Sequence, residues 1–154
     1  MAEIARNKRA YFDYEILEKF EAGIELLGIE VKSIKSGRIN LAGAYAILRN
    51  NQVVLVGADI PPYQPNNTPS DYDSQRTRKL LLTAEEIKTL TGKTKESHLT
   101  ILPLKVYTKG RLVKVKLGLG RHKKKYDKRE SIKKREAERE IKRSLKSRVP
   151  HRSA

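Results

Sequence analysis

No cysteine occurs anywhere in the 154 residues. That excludes a disulfide framework, a thiolate metal site and a cysteine nucleophile together, and it accords with a reducing cytoplasm. No apolar run approaches the roughly 20 residues a membrane helix requires, and Met1 to Ala10 is polar and basic where a signal core would be apolar. The expectation is a cytoplasmic protein that is neither exported nor membrane-bound. Acidic residues are scarce beside basic ones: 18 Asp and Glu stand against 34 Lys and Arg, a net charge of +16. A field of that sign concentrates phosphate-bearing molecules, nucleic acid before anionic membrane.

Catalytic constellations are also wanting. Gly92-Lys93-Thr94 resembles the end of a phosphate-binding loop, but position 87, where the first glycine of that loop belongs, is Ile. Gly118-Leu119-Gly120 lacks the third glycine of a dinucleotide fingerprint and reads as a barrel corner or a hinge. His98, His122 and His151 occur singly without metal-ligand spacing, and Asp71 and Asp73 form a pair in a loop where carboxylates are ordinarily just solvated. Neither an enzyme, nor a cofactor, nor a metal site is expected.

The basic excess is uneven. Residues 121–154 hold 15 Lys and Arg against 5 Asp and Glu, a net +10, which leaves +6 for residues 1–120. A segment so charged cannot bury enough apolar surface to fold alone, whereas the first 120 residues are long enough for one core. The expected organisation is a compact domain over 1–120 and a basic tail over 121–154, disordered or helical depending on its partner.

Within the domain, Tyr14 to Ser33 alternates in two phases, Ile24 and Leu26 and then Leu27, Ile29 and Val31, which suggests one long bulged strand or two strands meeting near Gly28. Tyr45–Arg49 and Gln52–Gly57 flank Asn50-Asn51, residues that tolerate the positive φ of a two-residue hairpin turn. Four prolines between 61 and 78 mark a long loop. Lys79–Leu82 is a short apolar run. Thr83 and Glu86 form a capping box that opens a helix ending at Gly92. Leu99–Tyr107 and Leu112–Leu119 form a second hairpin around Lys109-Gly110, with Lys114 and Lys116 on one face and Val113, Val115 and Leu117 on the other. Many short strands with one interposed helix predict a mainly β fold, a small antiparallel OB-like β-barrel with short helices; another β-barrel or an α+β sheet are the alternatives.

In the tail, Asp127 and Glu130 have capping-box form, and Ala137, Ile141 and Leu145 recur at helical spacing in a stripe too thin to face a core. A helix that is marginal alone and stabilised by phosphates is expected. Binding signals accumulate elsewhere: Lys8 and Arg9 precede Tyr11, Phe12 and Tyr14, and Arg76, Arg78 and Lys79 crowd before Leu80, giving phosphate contacts beside stacking platforms. Arg121 to Arg129 is the sharpest basic run.

These residues resemble the small protein B (SsrA-binding protein) family, the partner of transfer-messenger RNA in bacterial trans-translation. The resemblance is carried by Asn7–Ala10, Phe20–Gly23, Gly28–Ser33, Arg76–Leu82, Leu102–Leu104, Lys123-Lys124 and Tyr126–Glu130, in that order. It implies an RNA-binding adaptor on an OB-like barrel that holds the tRNA-like part of transfer-messenger RNA, with a tail that becomes helical in the empty mRNA path near the decoding centre of a stalled ribosome. By position, Glu21, Leu81 and Lys114 fall on the implied RNA-binding surface, joined by Lys8, Arg9, Lys32, Arg76, Arg78 and Lys79. Lys123, Lys124, Tyr126, Asp127, Lys128, Arg129, Ile132 and Lys133 match the ribosome-contacting tail. His122 stands where the family usually has Gly, and the loop at 61–78 lacks the family's more usual His-containing pattern. The alternative reading from the charge alone is a ribosomal or assembly protein with a cationic tail.

Overall fold

The computed structural model describes residues 2–148, without the side chains of 125–128, 130, 131 and 144–148. It divides the chain into two units, Met1–His122 and Lys123–Ala154. The first unit contains seven strands: β1 (Ala2–Arg6), β2 (Tyr14–Ile24), β3 (Tyr45–Arg49), β4 (Gln52–Val56), β5 (Arg78–Leu81), β6 (Thr100–Lys109) and β7 (Leu112–His122). Three α-helices accompany them, α1 (Lys8–Asp13), α2 (Gly28–Lys35) and α3 (Ala84–Ser97). All strand pairs are antiparallel. Their order is β1-β6-β3-β4-β5-β2-β7, and a further pairing of β6 with β7 brings the sheet round on itself. Closure of this kind removes most of the exposed edges that open sheets must protect, while β1, paired with β6 alone, stays at an edge.

The interior follows from alternation. Val113, Val115 and Leu117 of β7, Val53 and Leu55 of β4, Ile101 and Val106 of β6 and Leu80 of β5 form one cluster with Ile34 of α2 and Leu90 of α3. A second, smaller cluster lies where Ala10 and Tyr11 of α1, with Tyr14 and Ile16 of β2, pack on Leu102 and Leu104. Here the glycines of Gly118-Leu119-Gly120 have their use, and it is neither a corner nor a hinge. A Cβ on Gly118 would stand 2.7 Å from Leu104 Cδ1, and one on Gly120 would stand 3.0 Å from Leu102 Cδ1 and from Tyr14 Cβ. Both residues sit inside β7, which continues to His122. Their missing side chains make room for the second cluster.

The Asn-Asn hairpin is present, with φ of 51° at Asn50 and 60° at Asn51 between β3 and β4. The β6–β7 hairpin turns at Gly110-Arg111, one residue beyond the expected centre, with Lys109 opposite Leu112. Two expectations are corrected. The strand foreseen over Tyr14–Ser33 ends at Ile24, and Gly28–Lys35 is the helix α2. Glu30, Ser33 and Ile34 are its buried positions, a helical spacing, and the Glu30 carboxylate accepts from the Leu27 N–H at 2.8 Å. The helix capped by Thr83 and Glu86 does not stop at Gly92 but runs to Ser97, where His98 takes the left-handed conformation at φ 52°. A glycine inside a helix costs only about 1 kcal/mol relative to Ala, and the burial of Leu90 on this helix opposes that loss.

The long loop is tied down at its far end. Its single helical turn is 3-10, Pro65–Asn67. Tyr72 donates its hydroxyl to the Ile60 carbonyl at 2.8 Å, and the Ile60 N–H donates to Ser74 at 2.9 Å. Beneath it, Glu30 receives Arg76 Nη2 at 2.5 Å and Arg78 Nη2 at 2.6 Å, with Arg78 and Glu30 both fully buried. Burial alone would push the Glu30 carboxyl up, but the hydrogen bonds from Arg76, the Leu27 N–H and Arg78 outweigh it and hold the group at about 2.

The second unit is the helix α4 (Lys125–Arg148), about 36 Å long at 1.5 Å per residue. It starts before Asp127, which therefore lies inside the first turn and not ahead of it. Arg129 and residues 132–143 are all exposed. Among the described residues, no helix is long and apolar enough to cross a membrane.

Candidate nucleic-acid interface

The outer face of β2, β7 and β6 gathers charged side chains by register. Along β7 the odd-numbered residues Val113, Val115 and Leu117 point into the barrel, so Lys114 and Lys116 point out. Glu21 lies opposite Lys116, Gly23 opposite Lys114, and Gly23 also opposite Leu81 of β5. On the other side of β7, Tyr107 pairs with Lys114 and Lys105 with Lys116. Three residues separated by many tens of positions, Glu21, Leu81 and Lys114, thus converge on Gly23.

Gly23 matters because a side chain there would meet Leu81, whose Cβ is 3.2 Å from where a Cβ would stand. Leu81 instead lies across it and remains 46% exposed. An apolar side chain left in water on a cationic face is suited to packing against a nucleobase or ribose.

Glu21 is the acidic centre of this face. Tyr107 donates its hydroxyl to Glu21 Oε2 at 2.5 Å, and Lys109 Nζ lies 3.4 Å from Oε1. The Tyr107 hydrogen bond leads in holding the Glu21 carboxyl below its ordinary value; burial opposes it, and Lys109 and then Lys114 add to the lowering. Tyr107 responds in the other direction: burial first, then the hydrogen bond to the Glu21 carboxylate, push its hydroxyl well above the usual phenol. Glu21 is therefore an ionised acceptor with its donor fixed beside it.

The other sequence-derived candidates are dispersed. Lys8 and Arg9 are on α1, where Arg9 Nε lies 3.6 Å from Asp13, and Lys32 is exposed on α2. Lys79 is half-buried on β5 beside Glu25, whose N–H donates to the Lys79 carbonyl at 2.9 Å. Arg76 is partly exposed but committed to Glu30. Arg78 is not on the surface at all: it is 0% exposed and donates to Glu30, Ala58, Arg76 and Ser74. Basic character near β5 made it resemble a phosphate ligand, whereas its partners are carbonyls and a carboxylate of the interior. Tyr107, Lys105 and Lys109 were not among the candidates, although Lys105 and Tyr107 follow the alternation of β6 that would have placed them beside Lys114.

In the second unit, Lys123 and Lys124 precede α4, and Arg129, Ile132 and Lys133 are exposed on it. The side chains of Tyr126, Asp127 and Lys128 lie outside the described residues. At the end of β7, His122 sets its ring edge-on against Tyr14, centroids 5.0 Å apart. Asp71 is exposed and Asp73 accepts from the Gln75 N–H at 3.0 Å. No cluster of three metal-ligating side chains occurs among the described residues.

A family model described as SmpB protein matches residues 4–147. The chain belongs to the SmpB family. An SsrA-binding protein of Syntrophobacter fumaroxidans is 54% identical over 94% of this chain and 89% of its own length. Another, from Microcystis aeruginosa, is 46% identical over 93% of both chains. A solved structure described as "tmRNA-SmpB: a journey to the center of the bacterial ribosome" superposes with a TM-score of 0.66 at 40% identity, covering 83% of this chain and 93% of that one. The SmpB family match runs from within β1 to nearly the end of α4, so it takes in the closed sheet and the basic tail up to residue 147.

Proposed function

We propose that this protein is a noncatalytic adaptor that binds the tRNA-like part of transfer-messenger RNA on the outer face of β2, β7 and β6 and brings it to stalled ribosomes, where α4 occupies the empty mRNA path near the decoding centre. The observation that carries the first half is the convergence of Glu21, Leu81 and Lys114 around Gly23. Lysines there neutralise phosphate, Leu81 packs against a base or sugar, and Glu21 accepts from base donors that phosphate contacts cannot read. The names of the relatives, SsrA-binding protein, support the RNA. The solved relative's description supports both the RNA and the ribosome. The second half rests on α4: residues 121–154 carry a net +10, and a solvent-exposed helix about 36 Å long can line a channel walled by ribosomal RNA.

A charge reversal tests the face. Glu21→Lys adds a positive charge, so a purely electrostatic surface would bind RNA more tightly. Loss of an ionic acceptor predicts the opposite, a weakening on the order of tenfold, the size of one charge-assisted hydrogen bond. Filter binding of the whole chain to transfer-messenger RNA at fixed salt measures it. Unchanged or tighter binding would remove Glu21 from the interface.

A further inference from the structure

Between β1, β2, β6 and β7 the face folds into a cleft of about 250 Å³ lined by Glu3, Glu21, Lys105, Tyr107 and Lys116. Its lining is balanced, with two carboxylates and two ammoniums, so it is not a phosphate site. A phosphate entering it would meet Glu3 and Glu21 as closely as it met the lysines. Tyr107 is only 6% exposed, which leaves no ring face for stacking and gives it one role, as the donor that fixes the Glu21 carboxylate. What remains is edge recognition: an acceptor-only group beside donor-only groups.

Each base can be tried against that pattern. Adenine and cytosine each offer one amino group, and uracil offers one N–H between two carbonyls. Guanine alone presents two adjacent donors, N1–H and the 2-amino group, next to two acceptors, O6 and N7. Glu21 has capacity for them, since Oε2 takes Tyr107 and Oε1 only the long contact from Lys109, leaving free lone pairs on both oxygens. Lys105 and Lys116 flank Lys114 and Glu21 by register and form no ion pair among the described residues, so their protons are available for O6 and N7.

Resting on the RNA-binding reading above, we infer that this cleft takes one unpaired guanine of the bound RNA, with the Glu21 carboxylate accepting from N1–H and the 2-amino group and the lysines donating to O6 and N7. The guanine must be unpaired because its Watson–Crick edge is the one being read. The site thereby contributes selectivity for a nucleotide, while Lys109 and Lys114 at its rim supply the sequence-independent attraction.

The test changes the RNA and leaves the protein intact. Transfer-messenger RNA is prepared with inosine, which lacks the 2-amino group, or 7-deazaguanosine, which lacks N7, at single guanosines of the tRNA-like part, and affinity for the full chain is measured. At one unpaired guanosine, inosine should weaken binding on the order of tenfold and 7-deazaguanosine by a few-fold. The inosine penalty should shrink in Glu21→Gln, which keeps one neutral acceptor oxygen, and vanish in Glu21→Ala, which removes every acceptor without adding a donor. Indifference of the wild-type protein to inosine at every guanosine would overturn the inference, as would a penalty that persists undiminished in both variants. Failure of the wild-type protein to bind the unmodified RNA is a separate outcome, and it would overturn the functional reading beneath.

Discussion

Replacing Glu30 by Gln is expected to destabilise the protein by about 3–5 kcal/mol, because it leaves the fully buried Arg78 guanidinium without its counter-charge. The same change puts an NH2 donor in place of one of the two oxygens that between them accept from the Leu27 N–H, Tyr72, Arg76 and Arg78, so donors now face a donor at that position. For a domain of this size such a loss lowers the melting temperature by roughly 10–20 °C. The pH dependence has a definite sign. The Glu30 carboxyl sits at about 2 in the folded protein against an ordinary 4.5, so its contribution is complete above pH 4.5 and is lost as the pH falls toward 2. The interval corresponds to about 3 kcal/mol. Urea titrations between pH 6 and pH 2.5 should therefore show a steeper fall in stability for the wild-type protein than for Glu30→Gln, which keeps only the contribution of the other lowered carboxyl, Glu21. Equal midpoints for the two proteins at neutral pH would mean that the Glu30–Arg76–Arg78 cluster is not what fastens the long loop to α2.

Truncation after His122 is expected to reduce peptide tagging on stalled ribosomes to background while leaving affinity for transfer-messenger RNA within about tenfold, or ~1.4 kcal/mol, of the full chain. The first unit has its own interior, formed entirely by residues before position 120, and the described side chains of α4 are exposed. None of the residues that form that interior is removed with α4. It does remove a net +9 that lies in residues 123–154, so the affinity loss that does occur should shrink as salt is raised. A reconstituted tagging reaction and a binding titration on the same preparation separate the two effects. Loss of both at high salt would make the tail the main RNA-binding element.

What the sequence disclosed and what it hid divide along a physical line. Asn50-Asn51 announced its turn because positive φ is a local property of those residues, and Lys114 and Lys116 announced their face because alternation is local to a strand. The helix α2 was hidden by its composition: Leu27, Ile29 and Val31 satisfy a period of two, and the buried positions that reveal the period of 3.6 include Glu30, a residue ordinarily at the surface. Its partners Arg76 and Arg78 are 46 and 48 positions away. The same distance misassigned Arg78, since a basic residue reads as a surface residue until its buried carboxylate is known. Glu21 was placed on the RNA face by family resemblance, but the residue that fixes it, Tyr107, is 86 positions distant and left no local sign. Gly118 and Gly120 resembled a hinge because what they accommodate, Leu102, Leu104 and Tyr14, arrives from β6 and from the junction of α1 with β2.

The central claim is that two surfaces of one chain touch two different RNAs. Because the protein contains no cysteine, a single engineered thiol can carry a hydroxyl-radical probe without background labelling. With probes placed at Lys19, beside the β2 face, and at Lys134 on α4, cleavage is measured in the complex of protein, transfer-messenger RNA and stalled ribosome. The Lys19 probe should cut the tRNA-like part of transfer-messenger RNA, and the Lys134 probe should cut ribosomal RNA along the mRNA path. Cleavage of the same RNA segment by both probes would contradict the division of labour proposed for this molecule.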